Sequence, residues 1–187
     1  AIFAAAYAVE SRYLRNEARA VSTSLVGWIA LLLCYPPLND AIGELQPWTQ
    51  VDVSPFLWEP LILLHYTVIV LFALGFLGAT LALNLKAAQL SHRGIVTSGP
   101  YRLVRHPAYA CRIAIWWLVT LAILSVLLVP ANVETAGPAA LNLTLTAAAW
   151  TIVYVIRARA EERLLCEDPT YLAYCQRVRW RFLPGAF

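Results

Sequence analysis

A basic stretch, TSGPYRLVRHPAY at residues 97–109, separates two long apolar segments of the chain. Gly99-Pro100 is a turn signal, and Pro107 suits the first turn of a helix, where its missing N–H costs no hydrogen bond. Four side chains of the stretch are able to bind an anion or move a proton, namely Arg102, Arg105, His106 and Tyr109. The stretch is therefore predicted to be a polar connector at the mouth of a membrane helix and the first candidate for a functional site.

The composition is that of an integral membrane protein. Of the 187 residues, 60% are apolar and 13% are charged, and the mean hydropathy is +0.64, which excludes an ordinary soluble domain. The basic residues are not spread as a nucleic-acid footprint would be, so no nucleic-acid partner is expected. The four cysteines have neither metal-ligand nor disulfide spacing, so we predict no metal site and assign them to packing.

The apolar segments predict an all-α membrane protein with about five transmembrane helices. The chain opens inside an apolar run, Ala1–Val9, interpreted as the end of a first span whose natural N-terminus is missing. The second segment, Thr23–Tyr35, is short for a span and would have to borrow residues from Ala18 onward or lie beside a thinned region of the bilayer. Three longer segments follow at Leu61–Leu85, Ala108–Val129 and Ala139–Ile156, the last starting after Pro138. We treat residues 1–187 as one transmembrane domain, with N-terminal spans in 1–76 and a functional core in 77–187.

The basic residues predict the topology. When the loops are assigned alternately to two sides, all 14 Lys and Arg residues fall on one side. The positive-inside rule places that side, with the connector and the C-terminal tail, in the cytoplasm of a bacterial inner membrane or at the endoplasmic reticulum.

The tail after Ile156 is predicted to be helical. Arg157, Glu161 and Glu162 should continue the last span beyond the membrane. Asp168-Pro169 is typical of an N-cap followed by a first-turn proline. The new helix would carry an apolar stripe that lies on the bilayer or caps the site, formed by Tyr171, Tyr174, Cys175 and Val178.

Together the connector and the tail offer guanidinium groups for a carboxylate or phosphate, carboxylates for an ammonium, and aromatic faces for a ring. A zwitterionic, nucleotide-like cofactor needs those groups. A lipid acceptor would reach the same site sideways from the membrane. Basic side chains beside a membrane also serve as anchors for lipid headgroups, and composition alone leaves both interpretations open.

Two motifs carry a family resemblance. GIVTSGPYRLVRHPAY at 94–109, followed by RARAEERLL at 157–165 and YLAY at 171–174, resembles the isoprenylcysteine carboxyl methyltransferase and phospholipid methyltransferase superfamily. The resemblance covers residues 77–187. It implies an S-adenosylmethionine-dependent enzyme in the membrane that methylates a lipophilic or prenylated acceptor. It says nothing about oligomeric state.

The resemblance also implies roles for individual residues. His106 and Tyr109 would contact the cofactor, Arg105 would hold the connector, and Glu162, with Glu161 as a second candidate, would take the cofactor's ammonium. Arg157 would face a carboxylate of the cofactor or of the acceptor. Backbone groups near three further residues would frame the nucleoside, namely Val96, Gly99 and Leu103. One departure concerns the acceptor pocket, because the family often has a small residue where this chain has Cys111, followed by Arg112.

The chemistry of the acceptor stays open. A carboxylate needs no base and only an arginine to orient it, for which Arg157 is the first candidate. A lipid amine is mostly protonated near neutral pH and needs a base, for which Glu161 and His106 are candidates. Two other functions compete: a sterol-reductase-like enzyme that uses NADPH, and a non-catalytic subunit that binds anionic lipid.

Overall fold

The chain forms a helical membrane protein with a very small antiparallel ladder. The computed structural model describes residues 11, 13, 16–43, 59–127 and 133–185. Its helices are α1 Leu25–Leu32, α2 Leu38–Gly43, α3 Glu59–Leu83, α4 Pro107–Leu127, α5 Val133–Leu165 and α6 Pro169–Arg177. Strands β1 Ala20–Val21 and β2 Ser91–His92 pair antiparallel, with Ala20 opposite His92. The connector between α3 and α4 holds two turns of 3-10 helix, Asn84–Lys86 and Gly99–Arg102.

Three helical segments of the described chain are long and apolar enough to cross a membrane: Glu59–Lys86, Pro107–Leu127 and Gly137–Leu165. In none of them is more than 22% of the most apolar window buried inside the protein. Their apolar side chains therefore face outward, as expected for helices whose surroundings are lipid.

The predicted second span is wrong. Helix α1 has eight residues, so it is about 12 Å long and cannot cross a hydrocarbon core of about 30 Å. The segment cannot borrow helical residues from Ala18 onward, because Ala20–Val21 is already a strand. The predicted first span, Ala1–Val9, lies outside the described residues.

The other boundaries are close to those predicted. Helix α4 begins at Pro107, as its position in the sequence indicated. Helix α5 begins at Val133, so Pro138 lies inside the helix, while the apolar span within it runs over Gly137–Leu165 and begins beside Pro138, as predicted. The continuation of α5 beyond Ile156 is confirmed, since the helix ends only at Leu165.

Helix α1 packs closely against the extension of α5 at Gly27. A Cβ atom at this position would lie 2.8 Å from Ala160 Cβ, closer than two carbon atoms approach without movement. Gly78 in α3 is a matched contrast, because a Cβ there meets nothing within 4 Å.

We expect Gly27→Ala to lower the thermal stability of the detergent-solubilised protein, because overpacking costs about 1–3 kcal/mol. Differential scanning fluorimetry measures the change against Gly78→Ala, which should leave the midpoint unchanged or raise it slightly. Equal midpoints for the two variants would contradict the close packing of α1 on α5.

The tail helix α6 folds onto the connector. Asp168 caps it by accepting a hydrogen bond of 2.8 Å from the Thr170 N–H. The predicted apolar stripe is buried, with Tyr171, Tyr174 and Val178 packed against Ile95, Leu165 and Cys175. The stripe therefore covers the connector and does not lie on the bilayer surface.

Candidate active site

Backbone hydrogen bonds join the connector to the C-terminal tail. The Arg105 N–H donates to the Trp180 carbonyl and the His106 N–H donates to the Arg181 carbonyl, each at 2.9 Å. The Tyr174 hydroxyl donates to the Tyr101 carbonyl at 2.7 Å. The two charged stretches of the sequence thus meet in one place.

Glu162 forms the centre of a buried ion-pair cluster. Its Oε2 atom lies 2.8 Å from Arg181 Nε, and its Oε1 atom lies 3.2 Å from His106 Nε2 and 3.4 Å from Arg105 Nε. The residue is only 5% exposed. Arg105 extends the cluster to α6 and the tail by donating to Cys175 Sγ and to the Arg179 carbonyl, both at 3.3 Å. The cluster thereby ties the connector, α5 and the tail together.

We expect Glu162→Gln to destabilise the protein strongly. The change leaves the cationic side chains around Glu162 without their anion, and breaking a buried ion pair in this way costs about 3–5 kcal/mol. Scanning fluorimetry of Glu162→Gln against Glu167→Gln, a change at an exposed carboxylate five residues away, measures the effect. A midpoint for Glu162→Gln as high as that of Glu167→Gln would contradict the structural role of the cluster.

Beside this cluster lies a cavity of about 340 Å³, lined by residues of α3, the connector, α4, α5 and α6 and by Cys34 and Tyr35 after α1. Six of the predicted site residues line it: Val96, Arg105, His106, Tyr109, Arg157 and Glu161. Gly99, Leu103 and Glu162 are not among the lining residues. Leu103 is 68% exposed, and Gly99 adopts φ +60° in the turn beside Ala82, a conformation that glycine accepts without strain. The roles assigned to these three residues stay predictions.

Glu161 faces the cavity beside His106 and Tyr109. The Tyr109 hydroxyl donates to Glu161 Oε1 at 2.5 Å. His106 Nδ1 lies 3.8 Å from Glu161 Oε2. The rings of His106 and Tyr109 are stacked, with centroids 5.6 Å apart and planes 3° apart. The stacked rings and the hydrogen bond from Tyr109 therefore hold the Glu161 carboxylate on one side of the cavity, where a ligand could bind it.

Arg157 supplies the positive charge of the same wall. Its guanidinium carbon lies 5.0 Å from the centroid of the Tyr109 ring and 5.7 Å from that of Tyr154. One guanidinium nitrogen, Nη2, donates to Gln89 Oε1. The residue is 4% exposed, and within the described part of the chain its buried Nε atom has no hydrogen-bond partner. A buried donor without an acceptor indicates a place for an anionic ligand.

Three side chains of the cavity wall were not among the predicted site residues, namely Tyr154, Arg112 and Gln89. Tyr154 lies three residues before Arg157 on α5, a spacing that places both on one helix face. Arg112 lies three residues after Tyr109 on α4 in the same relation. Gln89 reaches Arg157 from the connector, and no sequence pattern would have found it. Arg181 lies in the tail after α6 and was not among the predicted site residues.

The tyrosines of the tail side are packing groups and not bases. Burial raises the pKa of Tyr174 to about 12 and raises the pKa values of Tyr101 and Tyr171 as well. These phenols are therefore neutral at physiological pH and act only as hydrogen-bond donors or apolar surfaces. Among the described residues no group of three or more His, Cys, Asp or Glu side chains is arranged to hold a metal ion.

The arrangement agrees with a comparison to known protein families. The family model for the isoprenylcysteine carboxyl methyltransferase family matches residues 60–167, more than half of the chain. The match includes the connector, α3, α4, Arg157 and Glu161. No curated protein and no solved structure gives a significant match. With its apolar helices and a family match of this extent, the chain is a membrane protein that belongs to the isoprenylcysteine carboxyl methyltransferase family, a family of methyltransferases.

Proposed function

We propose that this protein transfers a methyl group from S-adenosylmethionine to a lipophilic acceptor, the carboxylate of an isoprenylcysteine-like molecule. The observation that carries the proposal is the pair of opposite charges, Arg157 and Glu161, on one face of α5 and in one cavity. The amino-acid end of S-adenosylmethionine has a carboxylate and an ammonium close together. A guanidinium and a carboxylate one helical turn apart are complementary to that pair.

Glu161, and not Glu162, is the proposed partner of the ammonium. Both oxygens of Glu162 already contact side chains of the protein, with Oε2 on Arg181 and Oε1 on His106 and Arg105. Glu161 has one oxygen on the Tyr109 hydroxyl, whereas within the described part of the chain its other oxygen has only the longer contact with His106. In this proposal Glu162 positions His106, and His106 in turn supports the wall beside Glu161.

Arg157 is the proposed partner of the cofactor's carboxylate. Its contacts with the Tyr109 and Tyr154 rings and its hydrogen bond to Gln89 hold the guanidinium in place. Its Nε atom has no partner within the described part of the chain and is left for the carboxylate. The same rings offer π faces to a sulfonium, an attraction of about 0.5–2 kcal/mol. The residues present therefore fit both ends of the cofactor's charged part.

The charge of the cavity favours a carboxylate acceptor over an amine. Bound S-adenosylmethionine supplies a sulfonium methyl group, which a carboxylate oxygen takes through a new C–O bond while the C–S bond breaks and its electron pair stays on sulfur. The lining residues include one carboxylate, Glu161, and five basic side chains: Lys86, Arg93, Arg105, Arg112 and Arg157. A protonated amine would be repelled there, and a carboxylate needs no base.

The cytoplasm is the proposed side for this cavity. The 11 Lys and Arg residues from Lys86 onward lie in the connector, in the first two turns of α4 and from Arg157 to the tail, whereas residues 128–136 between the spans of α4 and α5 contain none. Cytoplasmic loops carry such an excess of basic residues. The polar cofactor would enter the cavity from the aqueous phase on that side. The lipophilic acceptor would enter laterally from the membrane, between the apolar helices.

Calorimetry with the detergent-solubilised protein tests the function. We expect saturable binding of S-adenosylhomocysteine and no binding of NADPH in a parallel titration. Binding of NADPH alone would indicate that the protein is a reductase and would overturn the proposal. Binding of neither, together with binding to vesicles of phosphatidylglycerol, would indicate a lipid-binding subunit and overturn the proposal.

A further inference from the structure

Arg112 is a charged residue at membrane depth. It is the sixth residue of α4, about 7.5 Å along the axis from Pro107, inside a segment apolar enough to cross a membrane. Arg112 is the third residue after Tyr109, so both side chains lie on the face of α4 that lines the cavity. A charge at such a depth is costly, and its presence by default indicates a function.

The surroundings of Arg112 offer aromatic rings and no anion. Its guanidinium carbon lies 5.8 Å from the centroid of the Phe76 ring on α3 and 6.0 Å from that of Tyr154 on α5. Among the described residues no carboxylate forms an ion pair with it. Aromatic faces attract a guanidinium by about 0.5–2 kcal/mol, less than the cost of a charge at membrane depth. A negatively charged group from outside the chain would complete this site.

The position of Arg112 separates it from the part of the cavity given to the cofactor. Arg157 and Glu161, the proposed partners of the cofactor, lie near His106 and Tyr109, whereas Arg112 lies beyond Tyr109 toward the membrane interior. Arg112 is exposed and also lines the cavity, so it lies at the edge of the cavity, beside Phe76 on α3 and Tyr154 on α5. A lipophilic molecule that arrives through the membrane would meet it first.

We propose that Arg112 binds the anionic group of the acceptor and orients this group toward the cofactor. The proposal rests on the proposed methyl transfer and adds a residue that determines acceptor specificity. Arg112 donates N–H groups to the oxyanion and remains charged throughout, so it takes no proton from the acceptor. Because the guanidinium also attracts phosphate, the same side chain is able to bind the headgroup of a membrane lipid.

The first arm of the test measures acceptor binding without catalysis. Binding of N-acetyl-S-farnesylcysteine and of its uncharged carboxamide is compared for the wild type, Arg112→Gln, Arg112→Lys and Arg102→Gln. Arg102 is exposed in the connector and does not line the cavity. We expect the wild type to prefer the carboxylate about 10–100-fold, as for a hydrogen bond to a charged group. Arg112→Gln should lose this preference, Arg112→Lys should keep part of it, and Arg102→Gln should keep all of it.

The second arm separates this site from the cofactor and from lipid. S-adenosylhomocysteine affinity should be equal in the wild type and Arg112→Gln, and the methyl-transfer KM for the carboxylate should rise about 10–100-fold. A wild type without preference for the carboxylate, or a variant that keeps the preference, overturns the proposal. An effect of Arg112→Gln that appears in phosphatidylglycerol vesicles and not in phosphatidylcholine vesicles assigns Arg112 to a lipid phosphate and overturns it too. Failure of the wild type to bind S-adenosylhomocysteine refutes the methyltransferase proposal, whereas the first arm still tests Arg112.

Discussion

Arg157→Gln is expected to weaken the binding of S-adenosylhomocysteine about 100-fold. The side chain is buried between the Tyr109 and Tyr154 rings, and its Nε atom lacks a partner within the described chain. Removing one partner of a desolvated charge pair in a complex costs about 2–5 kcal/mol, so a loss of about 100-fold lies near the lower end of that range. Isothermal titration calorimetry in detergent measures the dissociation constant directly.

Arg159→Gln is the matched control for this prediction. Arg159 lies two residues further along α5 and is exposed, so the same change there should leave the affinity unchanged. If both variants bind S-adenosylhomocysteine as tightly as the wild type, Arg157 is not the carboxylate partner. A variant of Arg157 that loses affinity together with thermal stability would indicate a packing role instead.

Glu161→Gln should have an effect of similar size. Glutamine keeps an oxygen that accepts the Tyr109 hydroxyl bond of 2.5 Å, so the substitution removes the charge with little change of shape. We expect the affinity for S-adenosylhomocysteine to fall about 30–100-fold, because the cofactor's ammonium loses its anion. The unfolding midpoint should change little, since the contact between Glu161 Oε2 and His106 Nδ1 is 3.8 Å long, beyond hydrogen-bond distance.

Comparison with Glu162→Gln sharpens this result. The two substitutions remove the same charge from adjacent residues, and the structure gives them different neighbours. Glu161→Gln should weaken the binding of S-adenosylhomocysteine and leave the unfolding midpoint nearly unchanged. Glu162→Gln should lower the unfolding midpoint and have the smaller effect on binding, when binding is measured below that midpoint. The reverse pattern would indicate that Glu162 binds the cofactor's ammonium, as the family resemblance first implied.

The site was largely predictable from local sequence. The combination of RHPAY at 105–109 with RARAEE at 157–162 selected five residues that line one cavity, and helix periodicity places two of them, Arg157 and Glu161, on the same face. Asp168-Pro169 correctly predicted the start of α6, since an N-cap is a contact between near neighbours. These features depend on residues within one or two turns of each other.

The short elements before α3 were less predictable. An apolar run from Thr23 to Tyr35 has the composition of a membrane span, yet its helix covers only Leu25–Leu32. Ala20 and Val21 pair with β2, about seventy residues away, and a pairing at that separation leaves no trace in local periodicity.

The sequence determined the membrane class, the long apolar helices and the two charged motifs, because composition and periodicity act within a single segment. It did not distinguish Glu161 from Glu162, which differ by about 100° around the axis of α5. The packing of the tail made that distinction by placing Arg181 on Glu162 and leaving Glu161 toward the cavity. Contacts between distant segments also brought Gln89 to Arg157 and placed Arg112 between Phe76 and Tyr154. Their physical basis is the packing of α3, α4, α5 and the connector around one cavity, which no single segment specifies.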